Sequence, residues 1–251
     1  MYNDYWNNIE IEKTKPYWIE DKSDLNAIHF IQTETNLQRC FQDAIKFAMK
    51  FSEVSGRILE VGAGVAWASA LLSKFDKVDS VTAIDCSKHR LSKIAPIIFE
   101  QLDGDVSKFN PIIEDFLKFD FKTMKFDIIL FCQSLYMFPV LDEVLERASK
   151  LLVPDGMIMV VCERITSELP FFSISGLKRR ANRLLRRRMD ASGNYYYEDK
   201  EYHHAIVKAG FKYHFQLLDY PVYFDKNINA GNHFGIKDSQ EIFEKVERDS
   251  I

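Results

Sequence analysis

Four cysteines stand in 251 residues, Cys40, Cys86, Cys132 and Cys162, too far apart to form a CxxC pair. That spacing excludes a disulfide framework and a thiolate metal or redox site. The four read as free thiols in a reducing compartment, with Cys132 and Cys162 in apolar runs that suit a core. The six histidines form no HExxH or comparable ligand spacing, so no structural metal is expected. No stretch reaches the roughly 18 apolar residues of a spanning helix. The polar, acidic start MYNDYWNNIEIEK lacks the apolar stretch of a secretion signal, and the expectation is a cytoplasmic protein. A formal charge of −4 supplies no whole-molecule attraction for a polyanion. Neither an internal repeat nor a low-complexity tract occurs. What is abundant is apolar side chain, 47% of the residues, enough to bury a full core, and the length favours one large domain over two small ones.

Leu37, Cys40, Phe41, Ala44, Phe47, Ala48 and Phe51 recur at helical spacing and predict a helix over residues 34–52. From residue 57 onward, short apolar runs alternate with helix-like stretches, the pattern of a sheet wound with crossover helices. Strands are expected at 57–61, 80–85, 110–116, 126–134 and 157–164, with a sixth at 212–220 and a seventh between 221 and 237. The run FDIILFCQS at 126–134 is apolar enough to be buried on both faces. Helices are expected at 87–102, with Ser87 as N-cap and a kink or an end at Pro96, at 139–152, and from Glu198 to a C-terminus at Gly210. The intervening VPDG, residues 153–156, reads as a turn. The fold class is therefore α/β: a doubly wound, mostly parallel seven-stranded sheet in a single domain over residues 1–251. An N-terminal lid and helix (1–55) precede the sheet, and an insertion (165–197) follows its fifth strand.

Chemistry-bearing residues fall at successive strand ends. Glu60, Gly62 and Gly64 sit between the first strand and a helix. Asp85 closes the second strand, Glu114, Asp115 and Phe116 the third, and a polar triplet the fourth. In an open parallel sheet these ends border the crevice where ligands bind, so positions some 75 residues apart converge. Glycine lets backbone N–H groups approach a ligand without an intervening Cβ and tolerates positive φ. Asp85 follows Gly64 by 21 residues, near the spacing at which a second-strand carboxylate accepts hydrogen bonds from ribose hydroxyls, which implies a ribonucleoside ligand. A dinucleotide fingerprint would need a third glycine where Trp67 stands, and no Gly-Lys-Ser/Thr follows the loop.

Taken together, ILEVGAGVA, VTAIDCS, IIEDF, FDIILFCQSLYMF and LLVPDGMIMVV resemble the motifs of the class I (Rossmann-like) S-adenosylmethionine-dependent methyltransferases, over about residues 57–164 and more weakly through 198–220. The resemblance implies S-adenosyl-L-methionine as cofactor and S-adenosyl-L-homocysteine as product. It also implies that Gly62, Ala63 and Gly64 run beside the methionine part, with Glu60 near its amino group directly or through water. Asp85 would hold the ribose, Cys86 would touch the adenine face, and Asp115 with Phe116 would read the adenine edge. Cys132 and Gln133 would border the methionyl end. A sulfonium beside an ammonium and a carboxylate suits one acid and several backbone groups better than an all-donor pyrophosphate nest. The sequence departs from the family pattern at Ala66, the third small residue of the loop. It also lacks an Asn/Asp-Pro-Pro-Tyr/Phe motif after the fourth strand, which counts against base N-methylation of nucleic acids.

Substrate specificity is expected from the additions to this frame. Tyr2, Tyr5, Trp6, Tyr17 and Trp18 crowd the N-terminus; they fit either a lid over cofactor and substrate, with Trp18 foremost, or an arm packed on the domain's flank. Residues 176–189, GLKRRANRLLRRRM, carry seven basic residues and no acid on an amphipathic pattern. Such a helix suits an anionic membrane surface, a phosphorylated, lipid-linked or glycan-linked substrate, an RNA backbone, or only the covering of the active-site mouth. For a general base the candidates are His203, His204 and His233, then Tyr136 and the tyrosines at 195–197. The reading is methyl transfer to a small or medium-sized acceptor, a sugar or another anionic or lipid-associated metabolite, with oxygen favoured over nitrogen. RNA methylation and a non-catalytic nucleoside-binding module are the alternatives; aminopropyl transfer is disfavoured because CQSLYMF supplies no extra carboxylates for a polyamine.

Overall fold

The computed structural model describes residues 6–163, 177, 178, 181, 195, 197–220, 222 and 231–237. Seven strands form one sheet in the order β3-β2-β1-β4-β5-β7-β6: β1 (Gly56–Val61), β2 (Val78–Asp85), β3 (Phe109–Ile113), β4 (Phe126–Cys132), β5 (Leu152–Val161), β6 (Phe211–Leu217) and β7 (Gly231–Lys237). All neighbouring pairs from β3 to β5 are parallel, and β7 runs antiparallel to both β5 and β6. The strand order reverses direction between β1 and β4, which opens a crevice beyond their carboxyl ends.

The helices in chain order are α1 (Ile9–Glu12), α2 (Asn26–His29), α3 (Leu37–Ala48), α4 (Trp67–Ser73), α5 (Ala95–Gln101), α6 (Leu141–Leu151) and α7 (Asp199–Lys208). They cover both faces of the sheet, because its central strands are apolar on both. Ile58, Ile128 and Leu130 pack with α3, α4 and α5, whereas Leu59, Ile129 and Phe131 pack with α6 and α7. Each such side chain, fully removed from water, contributes roughly 1.5–3 kcal/mol of burial free energy. α7 starts on a capping box in which Glu198 and Glu201 exchange side-chain and backbone bonds, and Gly210 follows its end at φ +86°.

Two local expectations change. Pro96 neither ends nor breaks its helix. Helical backbone runs unbroken from residue 88 to 101, and Pro96 sits where a π turn at Arg90–Ile94 passes into α5, the wider spacing of that turn accommodating its ring and missing N–H. Ser87 does cap this helix, its Oγ accepting from the Arg90 amide at 3.4 Å. The VPDG segment is no separate turn but part of β5. There Phe126 pairs with Leu152 and Ile128 with Met157, and the surplus residues are taken up by a bulge with Asp155 at φ +60°. The third strand stops at Ile113, leaving Glu114 and Asp115 in the loop beyond it, and the sixth stops at Leu217. Of the basic segment 176–189, only Leu177, Lys178 and Ala181 are among the described residues, and its remainder lies outside them. No helix among the described residues is long and apolar enough to cross a membrane.

Candidate functional site

The turn after β1 is built so that backbone lines the crevice. Gly62 has φ +68°, and a Cβ added there would stand 2.6 Å from the Ser134 Cβ, so the loops after β1 and β4 touch. Gly64 has φ +55°, and its N–H donates to Asp85 Oδ2 at 2.8 Å. Asp85 Oδ1 accepts from the Ser87 amide at 2.7 Å. One carboxylate thus ties the glycine loop to the helix start after β2, and each oxygen keeps a lone pair for a ligand hydroxyl.

Glu60, 1% exposed, is not among the residues lining the cavity. Its Oε2 accepts from the Ser69 amide at 2.9 Å and from the Ser69 hydroxyl, fastening α4 beneath the loop. Burial raises its pKa to about 7, against the opposing Ser69 bonds. It therefore supports the loop and forms no part of the cavity wall.

A cavity of about 220 Å³ lies over the strand ends. Its wall includes Gly62, Ala63 and Gly64 after β1, Asp85 and Cys86 after β2, Glu114, Asp115 and Phe116 after β3, and Cys132 with Gln133 at the end of β4. Of the eleven residues expected to touch the cofactor, nine are therefore gathered around one space, and Glu60 and Trp18 stand outside its wall. Asp115 Oδ1 accepts from the Leu117 amide at 2.9 Å, and its own N–H donates to Glu114 Oε1 at 2.8 Å. Gln133 sits at φ +54°, with its Nε2 buried and without a hydrogen-bond partner among the described residues. Burial raises the Cys86 thiol to about 12, helped by Asp85, Asp115 and Glu114, and raises Cys132 to about 11, so both are neutral walls rather than nucleophiles.

The N-terminal segment closes this space from above. Asn7 bridges the turn after β2, donating from Nδ2 to the Cys86 carbonyl and accepting from the Lys88 amide, both at 2.9 Å. Glu12 on α1 receives two hydrogen bonds from Arg90, at 2.7 and 2.6 Å, with both side chains buried. The guanidinium also lies 4.8 Å from the Trp6 ring and 4.9 Å from the Tyr17 ring. Burial works against the Arg90 charge, but Tyr17, Glu12 and Asp85 more than offset it, and the group stays protonated. Trp6, Lys15, Pro16 and Tyr17 complete the wall. Trp18, the aromatic singled out from the sequence, instead stacks on His89 at 4.6 Å and donates from Nε1 to Glu20 at 2.8 Å.

Phe30, Ile31 and Leu37 on one side and Tyr136, Met137 and Phe138 on the other give the remaining wall an apolar, aromatic character. None of the three histidines proposed as bases reaches it. His203 stacks on Tyr213 at 4.2 Å, and His204 is exposed. His233 is buried with Nδ1 2.8 Å from the Tyr213 hydroxyl, its pKa pushed down to about 3 by burial and then by His203. Of the described tyrosines proposed as bases, Tyr136 lines the cavity and Tyr195 and Tyr197 do not. Tyr195 donates its N–H to the Tyr136 carbonyl at 2.9 Å, Tyr197 its hydroxyl to the Phe138 carbonyl at 2.7 Å, and Tyr196 lies outside the described residues.

One buried acid next to the cavity wall escaped the sequence reading. Glu163, which follows β5, is 2% exposed and accepts hydrogen bonds from three successive amides of the loop after β4: Ser134 at 2.8 Å, Leu135 at 3.0 Å and Tyr136 at 3.1 Å. Its signal was an acid closing an apolar strand, the same sign that marked Glu60 and Asp85.

Compared with known proteins, residues 33–215 match the family model described as Methyltransferase domain. No curated protein sequence matches the chain significantly. Among solved structures it resembles the YcgJ protein of Bacillus subtilis, at 15% identity over 79% of this chain and 99% of that one, with a TM-score of 0.57. It also resembles magnesium protoporphyrin IX methyltransferase from Synechocystis PCC 6803 with bound SAH, at 11% identity over 94% and 98% of the two chains, TM-score 0.62. A third is phosphoethanolamine N-methyltransferase 2 of Haemonchus contortus in complex with S-adenosyl-L-methionine, at 11% identity over 95% of this chain and 60% of that one, TM-score 0.63. At such identities the structural likeness is one of fold. The family match covers well over half of the residues, and the chain belongs to the methyltransferase-domain family, with the fold of the class I S-adenosylmethionine-dependent methyltransferases.

Proposed function

We propose that the cavity holds S-adenosyl-L-methionine and that the chain transfers its methyl group to a small or medium-sized acceptor, oxygen being favoured over nitrogen. The observation that carries this reading is the gathering of a loop with glycines at 62 and 64, three acids and a Gln133 Nε2 without a partner among the described residues around one cavity at the strand ends. Gly62, Ala63 and Gly64 suit the methionyl part, where backbone must come close. Asp85 has lone pairs left for ribose hydroxyls. Cys86, Asp115 and Phe116 suit an adenine, and Cys132 with Gln133 the amino-acid end. When bound, the cofactor supplies a methyl group activated on a sulfonium.

The chain's own work is alignment and exclusion of water, the main demands of an in-line displacement. Trp6 and Tyr17, locked through Arg90 and Glu12, serve as the lid in place of Trp18. The flank made by Phe30, Ile31, Leu37, Tyr136 and Met137 suits an acceptor with an apolar body, and Lys15 on the same wall suits an anionic group on it. The names of two structural neighbours, a magnesium protoporphyrin IX methyltransferase and a phosphoethanolamine N-methyltransferase, accord with a small or medium-sized acceptor. Calorimetric titration with S-adenosylmethionine and S-adenosylhomocysteine tests the reading. Wild-type chain is expected to bind both, and Asp85→Ala to bind about 10- to 100-fold more weakly, the worth of charge-assisted bonds to ribose. No heat with either nucleoside, and an Asp85→Ala variant indistinguishable from wild type, would refute it.

A further inference from the structure

We infer that Glu163 is a positioning residue for the transfer: its carboxylate fixes the turn at residues 134–136 from beneath, and through that turn sets Gln133 and Tyr136 against the ligands of the cavity. The inference rests on the reading that the cavity holds the nucleoside cofactor.

The geometry is that of an anion held by consecutive amides. Oε1 takes the Ser134 and Leu135 N–H groups, and Oε2 takes the Tyr136 N–H together with the Tyr202 hydroxyl, 3.5 Å away on α7. The turn it holds is not an independent structural detail. Ser134 and Tyr136 line the cavity, and Gln133, in the left-handed region, immediately precedes them. The Ser134 hydroxyl donates to the Val61 carbonyl at 2.5 Å, and its Cβ occupies the space that a side chain on Gly62 would need. Displacing the turn therefore alters both the cofactor loop and the opposite wall. Without the carboxylate, three buried N–H groups lose their acceptors.

The device works fully only in its ionised form. Burial lifts the Glu163 pKa to about 7, although the Leu135, Ser134 and Tyr136 amides and Tyr202 pull it down. Among the described residues, the titratable groups facing it are Tyr202 on α7, Tyr136 on the turn and Cys132 at the end of β4; burial holds Tyr202 and Cys132 neutral. Protonation leaves one oxygen able only to donate or to accept weakly where amides and a hydroxyl donate. A glutamine imposes the same pattern permanently.

The test measures S-adenosylhomocysteine affinity by calorimetry from pH 5 to 8.5, as the ratio of the Glu163→Gln dissociation constant to that of wild type. Ionisation of the ligand and of Glu60 cancels in this ratio. It is expected to be about tenfold at pH 8.5 and to fall toward one below pH 6, where the wild-type carboxyl is itself protonated. Glu163→Asp should recover part of the loss. A ratio of one at every pH overturns the inference, and so does a loss independent of pH, which marks a merely structural residue. Should Glu163→Gln not fold, Tyr202→Phe serves: with one donor removed, Glu163 titrates at higher pH, so affinity drops most near neutrality and matches wild type at pH 8.5. An unchanged profile in that variant also overturns the inference. A wild-type chain that binds no nucleoside at any pH sinks the cofactor reading instead, and the inference with it.

Discussion

The carboxyl edge of the sheet is constructed differently on its two sides. Beyond β1, β2 and β3 the cavity meets polar groups directly: glycine backbone at 62 and 64, and the carboxylates of Asp85, Glu114 and Asp115. Beyond β4 it meets neutral side chains, Cys132, Tyr136, Met137 and Phe138, while the acid of that side, Glu163, stays underneath and holds their backbone. The polar side suits a ligand with fixed hydrogen-bonding demands and the neutral side a ligand distinguished by shape. Glu60 shows that the buried device also serves the polar side, where it anchors α4 rather than the wall. What differs is the layer in which the carboxylates are placed: at the surface of the site beyond β1, β2 and β3, beneath it beyond β4.

The covering of the polar side is the place to break this contrast most severely. Glu12 and Arg90 form a buried, bidentate pair, and removing one partner leaves an uncompensated charge at a cost of about 3–5 kcal/mol. Glu12→Ala is expected to lose most of that by releasing the N-terminal segment, since Asn7, Trp6 and Tyr17 are held around the same arginine and the turn before it. Urea denaturation should register the loss, and hydrogen exchange should localise it to residues 6–24. The double variant Glu12→Ala, Arg90→Met should recover much of the stability while leaving the cofactor affinity low. A single variant as stable as wild type would mean that the clasp is not what seats the lid.

A second strike falls where the two sides touch. Gly62→Ala places a methyl 2.6 Å from the Ser134 Cβ at a φ of +68°, so strain and overpacking together cost about 2–4 kcal/mol. Because Ser134 belongs to the turn held by Glu163, the substitution is expected to reduce binding of S-adenosylhomocysteine by at least tenfold as well as to lower Tm. Gly64→Ala offers the sharpening control for stability: its added Cβ meets only Arg90 Nη1 among the described residues, at 3.9 Å, so backbone strain at φ +55° is its whole effect on the fold. If both alanines cost the same, the loops after β1 and β4 are not mechanically joined.

The polar side could be read from the chain because its chemistry is written in residue types with few other uses at strand ends. Glycine pairs and lone acids after apolar runs say where backbone and charge are wanted. The neutral side could not, since tyrosine, methionine and phenylalanine serve equally in cores. Glu163 carried the same mark as Glu60 and Asp85, but the strand reading of 157–164 absorbed it. The aromatic N-terminus was readable either as a cover or as an arm on the flank, and which ring faces the cavity depends on the path from α1 to α2. That path turns Trp18 onto His89 and Glu20 and presents Tyr17 instead. The π turn before Pro96 and the bulge in β5 were hidden for a related reason: each is a backbone adjustment made to preserve tertiary packing, and local propensity assigned a break to both.

The two buried glutamates allow the subtlest comparison, because stability and binding should respond to pH in opposite senses. Glu60 and Glu163 both have folded-state pKa values raised by burial from 4.5 to about 7. A raised carboxyl pKa means that the native state holds its proton longer than the unfolded chain, so stability is fully present below about pH 4.5 and is lost as pH rises through 7. For Glu163 the loss amounts to at most about 3 kcal/mol, and relaxation of the site reduces it. His233, neutral when buried, acts in the other direction and loses stability as pH falls below 6.5, so the net profile of wild type is shallow. Comparing each variant with wild type removes the histidine from view. Relative to wild type, both Glu60→Gln and Glu163→Gln should become more stable as pH is raised from 5 to 8, measured by urea denaturation at each pH. Over the same range Glu163→Gln should lose relative affinity for the nucleoside, since the ionised carboxylate that destabilises the fold is the one that sets the turn. Stability and affinity rising together would show that this carboxylate is structural support alone, and the two sides of the edge would then differ in composition but not in how charge is used.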